Sequence, residues 1–259
     1  MMFNNRFTIG KNVILGKNVR IGDNTVLYDN VVIQDNTVVA NNCVIGEPCE
    51  AYYSDTSYNN PQTVIGEGSF IRSHTIIYAG STFGPGFTTG HRAIIRENVR
   101  MGSHCSIGTQ SDIQNDCLFG DYCRIHSGAF ICPQAILGNF VLVFPQAIFT
   151  SDPTPPSNFC QAPQVGDYSV IAAGALLMPG VKIGSQCVIA AGSIVTHDVL
   201  DYSLMLGSPA KKHADVRDVH SRETGHKHHY PWMERFDRGM PWKGMGYKTW
   251  IKNQMNAPE

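Results

Sequence analysis

The sequence predicts an all-β fold, a parallel β-helix, from two repeating patterns. Every sixth residue is apolar from Ile9 to Ile45, from Ile65 to Phe149 and from Val165 to Val195, with Thr89 as the single polar exception. α-Helices repeat near 3.6 residues and hairpin strands at two. A sustained period of six instead indicates short strands wound into a coil, with one inward side chain on each flat side.

The corners of the coil carry the second pattern. Asn follows three residues after each of the first six apolar positions, from Asn12 to Asn42. A tight corner needs a positive φ angle, which Gly and Asn tolerate best. Three sides of six residues give coils of about 18 residues, and the three stretches supply about nine such coils.

Two segments break the period and predict where the chain leaves the coil. Residues 49–64 are polar and aromatic, and residues 150–164 contain four Pro, which cannot continue a strand ladder. We therefore expect a β-helix over residues 1–200 with protruding loops at about 49–64 and 150–164. Residues 201–259 are expected to form a short C-terminal extension, helical or irregular.

Charge and cysteine content limit the function classes. Lys plus Arg (20) nearly equals Asp plus Glu (21), which argues against a nucleic-acid or membrane partner. Five of the eight Cys share one repeat phase, which predicts small buried thiols rather than disulfides. With no long apolar run and no signal-peptide pattern, a cytoplasmic location is expected.

The end of the chain differs from the coil. It is basic from Lys211 onward, which suits an anionic ligand or simply a solvated helix face, and it holds all three Trp. These aromatic residues predict either a cap over the open end of the coil or a lid or partner contact beside an active site.

Residues 18 apart stack about 4.8 Å from one coil to the next, so the phase alone places side chains in columns. One column contains Arg72, Gly90, Gly108 and His126. The next column contains Ser73, His91, Thr109 and Ser127. Two glycines flanked by larger side chains, beside small polar groups, predict a shallow binding groove.

The histidines in the coil divide into two classes. His74 and His104 occupy the corner position, where His is one of the residues that tolerate positive φ. His91 and His126 have no such structural reason, and His91 also follows the exceptional Thr89. Departures from a regular repeat tend to be functional, so His91 and His126 are the candidate catalytic or substrate-contacting residues.

A further column has an apolar character and predicts a subunit contact. It contains Ile76, Ile94, Asp112 and Phe130. Asp112 would there be a buried carboxylate that needs an amine or hydroxyl partner, or it would be a rim carboxylate in water. Arg96, Glu97 and Asn115 lie close to this face and are weaker candidates for substrate binding.

Several motifs resemble one enzyme family. The repeats IGKNVI, LGKNVR, IGDNTV and IGSQCV, together with GSPAKK after the last repeat, are similar to those of the hexapeptide-repeat acyltransferases. TGHRAIIRENVRMG and the tail RFDRGMPWKGMGY resemble the branch that N-acylates amino groups of nucleotide-linked deoxyamino sugars. The resemblance extends over nearly the whole chain.

This resemblance implies a left-handed β-helix that assembles as a homotrimer, with active sites and acyl-CoA, most simply acetyl-CoA, between subunits and no metal. It places the pantetheine of CoA along small residues of the last coils, with two lysines near its phosphates. These candidates are Ala173, Gly174, Ala191, Gly192, Lys211 and Lys212. The lysines could equally belong to a solvated helix end.

The implied reaction is attack of an amine on a thioester. A His with a pKa near 6.5 can accept the amine proton. Some members of the resembled branch leave that proton to the departing CoA thiolate, in which case His91 only positions the substrate. The position of the amine at C3 or C4 of the sugar, the nucleotide and the acyl length stay open.

Three other functions are compatible with the predicted fold. O-Acylation of a sugar or serine hydroxyl needs a stronger base than N-acylation. A zinc lyase similar to the γ-carbonic anhydrases would need paired His five residues apart, which the coil lacks. A non-catalytic scaffold would need neither the TGH break in the repeat nor GSPAKK.

Overall fold

The computed structural model describes residues 6–220 and 230–256, and short strands dominate them. The strands form three sheets, which are the three sides of one coil. The first sheet contains β1 (Thr8–Ile9), β4 (Val26–Leu27), β7 (Val44–Glu47), β10 (Ile76–Tyr78), β13 (Ile94–Ile95), β16 (Asp112–Ile113), β19 (Phe130–Ile131), β22 (Ile148–Phe149), β25 (Leu176–Leu177) and β28 (Ile194–Val195).

The other two sheets follow the same order around the coil. The second sheet contains β2 (Ile14–Leu15), β5 (Val31–Ile33), β8 (Thr63–Ile65), β11 (Thr82–Phe83), β14 (Arg100–Met101), β17 (Leu118–Phe119), β20 (Ile136–Leu137), β23 (Gln164–Val165) and β26 (Lys182–Ile183). The third contains β3 (Arg20–Ile21), β6 (Val38–Val39), β9 (Phe70–Ile71), β12 (Thr88–Thr89), β15 (Ser106–Ile107), β18 (Arg124–Ile125), β21 (Leu142–Val143), β24 (Val170–Ile171), β27 (Val188–Ile189), β29 (Ser203–Gly207) and β30 (Ala210–Asp215).

The predicted all-β solenoid is confirmed, and its form agrees with the left-handed β-helix that the sequence resembles. Strands within each sheet pair in parallel, apart from the antiparallel pair β29 and β30. In the described residues the three sheets contain ten, nine and eleven strands, so the solenoid has more turns than the nine coils expected from the period.

The inward residues explain why a two-residue strand is stable here. Ile33, Ile77, Ile95 and Ile131 are fully buried and belong to one continuous apolar core. Burial of each such side chain contributes about 1.5–3 kcal/mol. The core therefore runs along the axis of the coil, and the outward side chains remain available for other contacts.

The corners have the predicted backbone conformation. Asn12, Asn18, Asn24, Asn30, Asn36 and Asn42 all have φ between 55° and 63°. Their amides also bond from coil to coil, with Nδ2 of Asn12 donating to Oδ1 of Asn30 at 3.1 Å. Arg92 and Tyr122 take the same positive φ at equivalent corners. The stacked coils therefore fix this conformation even where the residue type does not favour it.

The cysteines behave as predicted from their phase. Six of them are buried, none of the eight is disulfide-bonded, and burial raises the pKa of Cys43 to about 11 and of Cys117 to about 12. Their thiols donate to backbone carbonyls of the next coil, as Cys43 Sγ does to Arg72 O at 3.2 Å. These groups are structural and unreactive.

Two segments leave the coil where the period breaks. The first lies between β7 and β8 and contains the short helix α1 (Ala51–Ser54). The second lies between β22 and β23. Both leave from a strand of the first sheet and return to a strand of the second, so both protrude from the same corner edge of the coil.

The segment after the last repeat, expected to be helical or irregular, begins instead with a pair of strands. Residues 203–215 form the hairpin β29–β30, in which Ser203 pairs with Asp215 and Gly207 with Ala210. β29 adds to the third sheet above β27, so β30 can satisfy the backbone groups of β29 on its other side. Among the residues described after the hairpin, helical structure is limited to short turns at Val216–Asp218 and Trp232–Glu234 and to α2 (Tyr247–Met255).

The Trp-rich tail covers one side of the coil rather than its open end. Leu142, Val170 and Val188, the outward residues of three stacked strands, are buried against a cluster that contains Trp232 and Trp242. The indole Nε1 of Trp232 donates to Tyr168 O at 2.9 Å and anchors this packing. The expected cap is therefore wrong, and the tail is instead a cover over the third sheet.

The inward and outward residues of β20 provide a test of the core. Leu137 is 2% exposed and its neighbour Ile136 is 41% exposed. Leu137→Ala is expected to lower the free energy of unfolding by about 2–5 kcal/mol because it leaves a cavity. Ile136→Ala, the matched control, is expected to change it by less than about 1 kcal/mol. Urea denaturation followed by circular dichroism measures both free energies of unfolding. An equal loss of stability in the two variants would contradict the assignment of Leu137 as inward and Ile136 as outward.

Candidate functional site

The predicted columns are present at the corner edge where the chain passes from the third sheet to the first, here called the histidine edge. Along this edge, the backbone N–H of each coil donates to a carbonyl of the coil before it. Arg92 N bonds to Ser73 O at 3.1 Å, Gln110 N to His91 O at 3.0 Å, and Gly128 N to Thr109 O at 2.9 Å. The backbone N–H groups of Gln146, Gly174 and Gly192 form the equivalent hydrogen bonds in the later coils.

The lower part of the histidine edge forms a groove of about 250 Å³. Its lining includes Gly90, Gly108, Arg124, His126 and Ser127. A Cβ atom at Gly90 or Gly108 would collide with the backbone of the next coil. These two glycines therefore keep the coils close and the floor of the groove flat, as the column pattern predicts.

His126 lies at the upper end of this groove and is half-buried. Its ring stacks on Phe144 of the next coil, with 4.8 Å between ring centroids and 12° between planes. Burial lowers the pKa of His126, and the nearby cations Arg124 and Arg238 lower it further. The neutral imidazole, which can accept a proton, is thus the favoured form.

His91 lies two coils below His126 on the same edge and is exposed. Its backbone N–H donates to Thr109 Oγ1 at 3.2 Å. The groove lining contains its neighbour Gly90 but not His91 itself. Arg72 is also exposed, over the ring of Phe70 at 4.9 Å.

Thr89, the exception to the apolar repeat, has a structural explanation. Its buried Oγ1 accepts from Arg72 N at 2.9 Å and shares a hydrogen bond with Thr75 Oγ1 at 3.0 Å. The side-chain oxygen thus takes the place of a backbone acceptor where the pairing of β9 with β12 is incomplete. The polar residue alone is therefore no sign of catalysis at His91.

The tail creates a second cavity next to the groove, here called the tail cavity, of about 370 Å³. Arg124, His126 and Phe144 contribute from the coil. Trp232, Arg235, Phe236 and Arg238 contribute from the tail. Arg124 and His126 line both spaces, so the groove and the tail cavity adjoin at these two residues.

Sequence reasoning missed the tail cavity. The columns read from the sequence included His126 but not Arg124, which is the outward residue of β18. Nothing in the six-residue period links either residue to the tail. The excess of basic residues after Lys211 and the three Trp were the available signals. They indicated an anionic ligand and a lid but did not show which side of the coil the tail would cover.

Above His126 the histidine edge becomes smooth and apolar. Ala173, Gly174, Ala191 and Gly192 are all exposed. A Cβ atom at Gly174 or Gly192 would meet only open space. Lys211 pairs with Leu206 on the hairpin above them and is exposed, as is Lys212.

The remaining sequence candidates lie on the first sheet and at its other edge. Asp112 is on the outer face of this sheet and accepts from Gln114 Nε2 at 2.7 Å. Arg96 forms an ion pair with Glu97 at 2.8 Å, and Asn115 donates to Asp116 at 2.6 Å. Within one chain, Arg96, Glu97 and Asn115 are thus on the first-to-second corner edge and not beside the groove.

The described residues contain no group of three His, Cys, Asp or Glu side chains placed to hold a metal ion. In the same residues, no helix has the length and hydropathy needed to cross a membrane.

Comparison with known proteins identifies the repeat. Residues 8–47 and 162–197 match the family described as "Bacterial transferase hexapeptide (six repeats)". The two matched segments are parts of the first and the last coils.

Relatives match parts of the chain. Chloramphenicol acetyltransferase of Morganella morganii is 33% identical over 103 residues, which are 37% of this chain and 49% of that protein. The bifunctional protein GlmU of a Nostoc species is 25% identical over 189 residues, 62% of this chain and 40% of that protein. The chain thus spans about half the length or less of these relatives.

Among solved structures, a mutant of perosamine N-acetyltransferase from Caulobacter crescentus, in complex with CoA and GDP-perosamine, is similar over part of the coil. It is 24% identical, with 54% of this chain and 57% of that chain covered and a TM-score of 0.30.

The surroundings of His126 predict its titration. In the free protein its imidazole is expected to titrate below 6.5, because burial and two arginines disfavour the charged ring. Arg238→Gln removes one of these cations and is expected to raise the pKa. NMR of the imidazole protons across pH measures both values. Arg100→Gln, on the second sheet, is the control, and a wild-type value above 6.5 would contradict the prediction.

Proposed function

We propose that this protein is an acyl-CoA-dependent N-acyltransferase, which moves an acyl group, most simply acetyl, from CoA to the amino group of a nucleotide-linked 3- or 4-amino deoxysugar. The observation that carries this proposal is the position of His126, between a polar groove below and a smooth Ala and Gly edge above. The hexapeptide repeat and the acetyltransferases among the relatives support the acyl-transfer chemistry.

The smooth upper part of the histidine edge is the proposed site for CoA. Ala173, Gly174, Ala191 and Gly192 leave room for the extended pantetheine arm, since none of them carries a side chain larger than a methyl group. Lys211 and Lys212, which are exposed on the hairpin above, are the proposed partners of the CoA phosphates. The thioester would then face downward, toward His126.

The groove below His126 is the proposed site for the amino sugar. Thr109 and Ser73 present small polar side chains along the edge, with exposed His91 on the coil between them and exposed Arg72 next to Ser73. These four residues are assigned to sugar binding, with His91 as a positioning group rather than the base. Groups of this kind raise the rate by holding the amine in line with the thioester carbon.

The reaction then follows from the chemistry of amines and thioesters. The amine lone pair attacks the thioester carbon, and neutral His126 accepts the proton that the nitrogen loses. The resulting tetrahedral oxyanion needs hydrogen-bond donors, such as backbone N–H groups. Its collapse breaks the C–S bond, releases CoA thiolate and leaves the amide. The proton on His126 passes to the thiolate, which restores the base.

A trimer would complete the site. Ile94 and Phe130 on the first sheet form part of an outward apolar face, and Ile94 is 37% exposed. The histidine edge bounds this face on one side, and Arg96, Glu97 and Asn115 bound it on the other. If three copies pack face to edge in a closed ring, those residues and Asp112 reach the groove of the neighbouring copy. The buried free thiols suit the reducing cytoplasm.

Thiol release from acetyl-CoA tests the reaction. The acceptors are dTDP- and UDP-linked 3-amino and 4-amino sugars, with the matching sugars that carry a hydroxyl in place of the amine. His126→Asn is expected to lower kcat by at least about 100-fold because it removes the base. His91→Asn is expected to raise KM for the sugar more than it lowers kcat. His104→Asn, at a remote corner with positive φ, is the matched control.

The outcomes separate the alternatives. If the His126→Asn variant kept a near wild-type kcat, His126 would not be the base, and the CoA thiolate would accept the proton that the amine loses. Turnover of hydroxyl acceptors alone would replace N-acylation by O-acylation. No thiol release with any acceptor would overturn the proposed function.

Assembly is tested on the first sheet. Ile94→Lys is expected to convert the trimer to a monomer and abolish turnover, because it places a charge in the apolar face. Ile136→Lys changes an equally exposed residue of the second sheet and is the matched control. Light scattering after size exclusion measures the mass of both. A monomeric wild type, or a trimeric Ile94→Lys variant, would contradict the proposed interface.

A further inference from the structure

The tail cavity has a strongly positive lining. Of the described residues around it, Arg124, Arg235 and Arg238 are basic and none is Asp or Glu. In the described part of the chain, none of these three guanidinium groups forms an ion pair. Three unpaired arginines beside one cavity repel each other, so an anion there would relieve an unfavourable arrangement.

Arg124 and Arg238 have contacts that orient their guanidinium groups even without an anion. Arg124 Nη2 donates to Arg238 O at 2.5 Å and so ties the coil to the tail. The guanidinium groups of Arg124 and Arg238 lie 5.5 Å and 6.0 Å from the ring centroid of Phe236. Burial lowers the pKa of Arg124, and the charge of Arg238 lowers it further. Preorganised guanidinium groups suit phosphate, which they bind in bidentate fashion.

The rest of the cavity wall is aromatic and apolar. Trp232, Phe236 and Phe144 line it, together with Leu142 and Val170. Apolar and aromatic side chains make no favourable contact with a free inorganic anion, but they can stack on a planar ring of a ligand. The volume of about 370 Å³ is within the usual range for small-molecule sites. Arginines and aromatic side chains together indicate a phosphorylated aromatic ligand.

The position of the tail cavity next to the groove indicates which phosphorylated aromatic ligand it binds. Arg124 and His126 line both the groove and the tail cavity. A molecule that enters the groove with its sugar can therefore extend past Arg124 into the tail cavity with its phosphates. The smooth edge toward Lys211 runs the other way, up the coil, and provides a separate path for the phosphates of CoA.

We propose that the tail cavity binds the nucleoside diphosphate part of the sugar substrate, with Arg124, Arg235 and Arg238 on the diphosphate and the base against Trp232 and Phe236. This assignment rests on the proposed function and gives the tail a role in it. The tail is thus part of the substrate site and not only a cover for the third sheet.

Tryptophan fluorescence reports this binding directly, because all three Trp lie in the tail and Trp232 lines the cavity. The probes are UDP, dTDP and GDP, with the matching nucleosides, inorganic pyrophosphate and CoA for comparison. At least one nucleoside diphosphate is expected to change the emission and bind more tightly than its nucleoside or pyrophosphate. Isothermal titration provides the dissociation constants.

Two exposed arginines provide the variants, so that loss of folding does not decide the result. Arg235→Gln and Arg238→Gln are each expected to weaken binding of the nucleoside diphosphate at least about tenfold, with CoA binding unchanged. Arg100→Gln, an exposed arginine of the second sheet, is the matched control. An unchanged emission spectrum without ligand checks that the tail stays docked.

Several results would overturn the assignment. These are no binding of any nucleoside diphosphate, equal binding by wild type and both variants, pyrophosphate binding as tightly as the nucleotide, or a loss of CoA affinity instead. Thiol-release assays separate this proposal from the proposed function. Nucleotide binding that depends on Arg235 and Arg238 without acyl transfer would overturn only the function. Acyl transfer with an unchanged KM for the sugar in both variants would overturn only the assignment of the cavity.

Discussion

Most strands of this protein are only two residues long, so none is stable by itself, and each depends on the strands stacked above and below it. Hydrogen bonds between coils and a continuous core of inward Ile, Val and Leu provide that support together. The stacking also fixes which outward side chains become neighbours. Arg72 and His126, far apart in sequence, share an edge because both occupy the same place in the period.

This regularity explains what the sequence could predict. The period of six places every inward residue and every corner, and Asn at the corners agrees with the positive φ found there. The columns that contain His91 and His126 follow from the same count. Their neighbours along the edge are set by backbone pairing, which does not depend on the identity of the side chains.

The parts that could not be predicted are those without a period. Trp232 reaches Tyr168, and Arg124 reaches Arg238, through packing between segments that share no repeat. The hairpin β29–β30 was unexpected because Lys211, Lys212 and His213 are a polar run with no strand alternation. Thr89 was misread for a different reason: its hydroxyl replaces a backbone acceptor, and no pattern in the sequence shows which ladder bond is absent.

The two edges of the first sheet differ in how readily they accommodate inserted residues. Both protruding segments leave at the first-to-second corner, and Ile136 still pairs in register with Gln164 on the far side of the second one. The coil thus absorbs extra residues at that corner without rotating later side chains. Insertions or deletions there can remodel the surface that the neighbouring copy would present, while His126 and its stacking partner Phe144 keep their alignment. Under the proposed function, a longer loop there would change the surface that meets the acceptor and leave the position of His126 unchanged.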